Sequence, residues 1–143
     1  MDFSQITDDL FIGTTPEVSD YDLLRNSGVR LVINMRFARG PYPDIHPQAL
    51  NFLWLRTIDS PLSLIPMQKL LKGTQLAIET IKTGGKIYSH CAKGRHRSVA
   101  MGAAILIAQG WAPEQAIIKI KQARPISDPN IFYIRMRIFQ FAR

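Results

Sequence analysis

Hydrophobic residues fall in short blocks along the chain, and most blocks are closed by glycine or proline. Leu10–Ile12, ended by Gly13, predicts a first short strand. Ser19 with Asp22 three positions later has the form of a capping box and predicts a helix, which Gly28 ends. Val29 to Met35 is β-branched and nearly continuously apolar, as in a strand covered on both faces. Arg36 to Gln48 carries Gly40, Pro41, Pro43 and Pro47 and predicts a loop, after which Phe52 to Ile58 returns to strand. Leu70, Leu71, Thr74, Ala77, Ile78 and Ile81 recur at helical spacing up to Gly84 and Gly85. Lys86 to Ser89 predicts another strand. Val99 to Ala108 is apolar all round, which predicts a helix at the centre of a fold, closed by Gly110. Pro113 suits the first turn of a helix running to about Gln122. A last helix, Ile131 to Ala142, places Ile131, Ile134, Ile138 and Phe141 on one side.

Strands alternating with helices, followed by a helical second half, predict one α/β domain over residues 1–143. Its sheet is expected to be mainly parallel and flanked by helices, with a loop between the last strand and the central helix. No repeat or linker interrupts the pattern. Val99–Ala108 is far shorter than the roughly 18 apolar residues of a membrane span. Met1 to Asp9 is polar and acidic, without the basic-then-apolar order of a signal peptide.

The net charge of +7 favours anionic partners: phosphorylated substrates, acidic lipid touched peripherally, or nucleic acid. Basic residues are dispersed from Arg25 to Arg143, with neither a run of like charges nor interleaved aromatics, which weighs against nucleic acid. With one cysteine, Cys91, no intramolecular disulfide is possible, and a reducing cytoplasm is the expected setting.

The chemistry is concentrated in residues 89–98, SHCAKGRHRS. Cys91 ends a predicted strand, and Arg97, six positions on, begins the predicted buried helix. A strand-to-helix loop of that length can turn its amides of Ala92, Lys93, Gly94, Arg95, His96 and Arg97 toward one point, at the positive end of the helix dipole. Such a nest binds phosphate, and Gly94 supplies the backbone freedom that it needs. The same field favours a thiolate at Cys91. Arg97 can hold two phosphoryl oxygens with its planar fork. Ser98 can donate a hydrogen bond to the sulfur and improve it as a leaving group. His90 is expected to brace the loop. His90, Cys91 and His96 lack the second cluster of a zinc site, so no metal or other cofactor is expected.

His-Cys, five residues, then Arg-Ser resembles the signature of the cysteine-dependent protein tyrosine phosphatase superfamily. The short chain is similar to its small dual-specificity branch, and DDLFIGTTPEVSDYDLLRNSGVRLVINM extends the likeness toward the N-terminus. The resemblance implies hydrolysis of phosphate monoesters through a phosphocysteine, with phosphotyrosine, and also phosphoserine or phosphothreonine, on proteins as substrates. It also implies a general acid about thirty residues before the cysteine. Asp59 in IDSPLSLIP, 91 − 59 = 32 positions upstream, fits that place, with Asp44 in reserve. RPISDPN at 124–130 resembles a family segment in which Asn130 would support the phosphate loop. Lys93, Arg95 and His96 make this loop basic, as in phosphoinositide, phospholipid and RNA 5′-phosphatases of the superfamily, although Ala92 stands where lipid enzymes usually carry lysine. Arg36, Arg39 and Tyr42 are candidates for the rim. Low-molecular-weight tyrosine phosphatases and rhodanese-like loops fit less well, since the former place the loop at the chain's start and the latter lack the upstream aspartate. An inactive module that only binds phosphorylated ligands is the rival from another class.

Overall fold

The computed structural model describes residues 1–143. Its strands are β1 (Phe3–Thr7), β2 (Leu10–Gly13), β3 (Val29–Arg36), β4 (Asn51–Thr57) and β5 (Lys86–His90). The helices are α1 (Tyr21–Asn26), α2 (Met67–Lys82), α3 (Arg97–Ala108), α4 (Pro113–Ala123) and α5 (Phe132–Phe141). One sheet runs in the order β1-β2-β5-β3-β4. All neighbours are parallel except the β1–β2 pair.

β5 therefore lies between β2 and β3, and Ile87, Tyr88, Ser89 and His90 are fully enclosed. A strand so placed delivers the residue after it to the crevice at the carboxyl edge of the sheet, where parallel α/β folds bind ligands. α3 departs from there and is buried from Ser98 to Leu106, which is why its sequence is apolar all round. It packs against the sheet and against α2, α4 and α5, forming the larger core. The opposite face is covered only by α1 and the loop after β3, where Tyr21, Leu24 and Leu50 pack on Phe11, Val32 and Tyr88. Helices thus flank both faces, but unequally.

Two local expectations are corrected. β1 had no predicted counterpart: only Ile6 of its residues is buried, and pairing with β2 makes the strand where its own apolar pattern is too weak to show it. The helix start is offset from the Ser19–Asp22 pattern, since Asp20 accepts the amide of Glu17 at 2.8 Å and a 3-10 turn over Val18–Asp20 leads into α1. At the other edge, Arg56 has φ of 48° and the β3–β4 register shifts between Asn34 and Arg36. This bulge turns the end of β4, as bulges beside functional sites do, just before Asp59.

Candidate active site

The buried end of β5 fixes Cys91, and the first turn of α3 fixes Arg97 and Ser98. Between them the chain curls tightly. None of the amides of residues 92–96 donates to another backbone group, which leaves them available to an anion. Gly94 has φ of 65°, and a Cβ there would come within 2.7 Å of the Gly13 backbone and 2.8 Å of the Arg124 guanidinium. Glycine is required at this point by both backbone angle and space.

Cys91 Sγ lies 3.2 Å from Ser98 Oγ. Burial alone would raise the thiol's pKa. The Ser98 hydroxyl and amide, the Arg97 charge and the Arg95 amide outweigh burial and lower it below its ordinary 9.0. Behind the sulfur, Arg36 donates to Thr15 Oγ1 at 3.1 Å, and that hydroxyl donates to the Cys91 carbonyl at 3.4 Å. Arg97 is held from the sheet side, with Nη1 donating to Thr57 O at 2.7 Å and Met35 O at 3.2 Å. Its Nε is buried and has no partner, so part of the fork remains to bind an oxyanion.

Asp59, Cys91, Ala92, Lys93, Arg95, His96 and Arg97 line one cavity of about 200 Å³. Asp59 and Cys91 thus share one cavity. Its Oδ1 accepts the Tyr133 hydroxyl at 2.7 Å and its Oδ2 is 2.9 Å from His96 Nδ1. Burial would raise the Asp59 carboxyl, but these two hydrogen bonds and the nearby charges lower it below the usual carboxylate range. Tyr133 in turn is pushed up to about 12 by burial and by Asp59, and so stays a donor at neutral pH. Asp44 does not reach the cavity. It pairs with Arg25 and accepts the amides of Leu50 and His46 at 2.8 and 3.2 Å, which anchors the proline-rich loop. His90, enclosed beneath the loop, is lowered to about 3 by burial and is neutral.

Asn130 is not at the loop: it is exposed and accepts from Arg135 at 2.9 Å, a contact along its own helix start. The support expected of it comes from Arg124, 1% exposed, which donates to Gly94 O at 2.8 Å and Lys93 O at 3.2 Å and also reaches Asp2 and Ser4. Arg39 pairs with Glu17 at 3.0 Å and stacks on Tyr42, so neither lines the cavity. Sequence reasoning missed Tyr133 and the buried role of Arg124. Tyr133 adjoins Ile134 on the inward arc of α5, but only tertiary packing turns its hydroxyl to Asp59. Arg124→Met should leave two loop carbonyls unpaired in a buried place, at a cost of about 2–4 kcal/mol. A melting temperature lower by roughly 4–16 °C is the expected reading in a thermal denaturation experiment.

The fold is similar to those of solved dual specificity phosphatases. The crystal structure of human DUSP28 matches with a TM-score of 0.85 at 21% identity, over 97% of this chain and 94% of that one. Mouse (Mus musculus) dual specificity phosphatase 28 is 28% identical over 141 residues, 96% of this chain and 83% of the relative. Phosphatidylglycerophosphatase and protein-tyrosine phosphatase 1 of Homo sapiens is 34% identical over 110 residues, 71% of this chain. The chain spans 54% of that relative's length. No family profile matches the chain. With the signature at 90–98 in its phosphate-loop setting, the chain is similar to the small dual-specificity branch of the cysteine-dependent protein tyrosine phosphatase superfamily. The curated relatives it matches are named as phosphatases.

Proposed function

We propose that the protein hydrolyses phosphate monoesters through a phosphocysteine on Cys91, with phosphotyrosine on proteins as the preferred substrate. The observation that carries this reading is the single cavity in which a thiol of lowered pKa, the free face of Arg97 and a carboxyl group meet. Cys91 attacks phosphorus in line as the ester oxygen leaves, and Asp59 protonates that oxygen. Water, deprotonated by Asp59, then displaces the sulfur and frees inorganic phosphate. Arg97 and the loop amides follow the charge on the three phosphoryl oxygens. Asp59 must hold a proton for the first step. A phosphoryl dianion entering the cavity beside it favours the protonated carboxyl by like-charge repulsion, against the lowering set by His96 and Tyr133. Ser98 donates to the departing sulfur in the second step. No metal takes part, and a reducing compartment such as the cytoplasm keeps the thiol competent.

A lipid substrate is the second reading, favoured by Lys93 and Arg95 at the cavity and by the likeness to a phosphatidylglycerophosphatase. No helix is long and apolar enough to cross a membrane, so such a substrate would be met at a bilayer surface. Comparing kcat/KM on phosphopeptides, phosphatidylglycerophosphate, a phosphoinositide and 5′-triphosphate RNA separates these readings. Phosphotyrosine peptide is expected to lead the panel. A lipid leading it would overturn the choice of substrate, and binding without turnover throughout would identify a phospho-ligand module.

A further inference from the structure

His96 is the last residue of the phosphate loop before Arg97, and three segments converge on its ring. Nδ1 is 2.9 Å from Asp59 Oδ2, on the loop after β4. Nε2 is 3.7 Å from Asp128 Oδ2, on the segment before α5, and is buried without a hydrogen bond. The Tyr133 ring of α5 meets the imidazole edge-on at 6.0 Å, while its hydroxyl takes the other oxygen of Asp59 at 2.7 Å. Asp128 is tied to the same loop, its amide donating to Arg95 O at 3.0 Å. The remaining charged groups around the ring are Arg95 and Arg97 beside it in the chain and Lys93 across the cavity.

We infer that His96 is a positioning residue which, with Tyr133, latches the Asp59 carboxyl over the phosphate loop. The inference rests on the reading of Asp59 as general acid. A carboxylate in a loop beginning at a bulge has several rotamers, and only those over Cys91 can protonate a leaving oxygen. One N–H from the phosphate loop and one O–H from α5 occupy its two oxygens and select such a rotamer before substrate arrives. The Asp128 carboxylate faces the far nitrogen at 3.7 Å, and the Tyr133 ring closes on the imidazole from α5. His96 thereby couples two loops that the chain separates by 37 residues, and its contribution is to the protonation step rather than to phosphate affinity.

Aryl phosphates whose phenols range from strongly acidic to phenol itself provide the test. His96→Ala should slow kcat on phenyl phosphate by roughly 10-fold or more and change the most activated ester by less than about 2-fold, since only the poor leaving group needs the acid. Competitive inhibition by inorganic phosphate should stay within about 2-fold of the parent, which also reports that the loop is folded. His96→Asn keeps a donor where Nδ1 stands and should recover most of the loss, whereas His96→Gln should not. In an Asp59→Asn background, His96→Ala should add no further loss on phenyl phosphate. Equal slowing of all esters, loss of phosphate binding, or additivity with Asp59→Asn would overturn the latch while the acid assignment stands. An Asp59→Asn variant with unchanged leaving-group dependence would overturn the acid assignment and the latch together.

Discussion

Cys91→Ser is expected to lower kcat on an aryl phosphate by at least about 10⁴-fold while phosphate-analogue binding survives. Serine fits the space of the thiol and keeps the contact with Ser98 Oγ, so the loop has no reason to rearrange. What disappears is the nucleophile. A hydroxyl ionises far above a thiol, and the groups that lower the Cys91 pKa cannot bring an alkoxide into the neutral range. Retained turnover in a carefully purified variant would sink the phosphocysteine mechanism. The same ionisation predicts a pH profile for alkylation by iodoacetate. Since the thiolate is the reactive form and its pKa is lowered, inactivation should reach half its limiting rate below pH 9.0, the ordinary value. Ser98→Ala removes the largest of the lowering contributions, so the midpoint should move to higher pH.

Arg97→Lys is expected to cost roughly 10³-fold in kcat, with a weaker KM effect, because an arginine that tracks transferred phosphoryl charge contributes on that scale. Charge is conserved in this change and geometry is not. Arg97 spans from the carbonyls of Met35 and Thr57 to the cavity with one planar group, one edge fixed and the other free. A lysine ammonium is a point donor: it can satisfy the two carbonyls or meet the phosphate, not both. A kcat within about 3-fold of the parent would mean that positive charge alone suffices and that the fork has no special part.

Much of the domain can be read without coordinates because its elements are specified by local pattern. The β-branched run of β3, the helical spacing of α2 and the all-apolar α3 each follow from a periodicity that burial demands. The elements misread are those whose reason is not local. β1 has one buried residue and exists because the edge of β2 was there to pair with. Asp20 rather than Asp22 makes the local side-chain contact, closing the 3-10 turn that leads into α1. The same division runs through the site. The signature from His90 to Ser98 names the sulfur, the guanidinium and the hydroxyl, since a phosphate loop needs them at fixed intervals. Asn130, inferred from a motif alone, lies on the surface, and a buried Arg124 six positions earlier makes the contact instead.

The sequence by itself therefore determined the loop between β5 and α3, the place of Cys91 and Arg97 at its two ends and the alternation of strands and helices, because loop geometry and amphipathic burial are written in neighbouring residues. The tertiary structure decided how the Asp59 carboxyl is held. Asp59, His96, Asp128 and Tyr133 come from three distant segments, and no spacing rule connects them. Their meeting depends on how the bulge at Arg56 turns the end of β4 and where α5 docks on the buried α3. Those are consequences of packing the whole core, and only the folded chain expresses them.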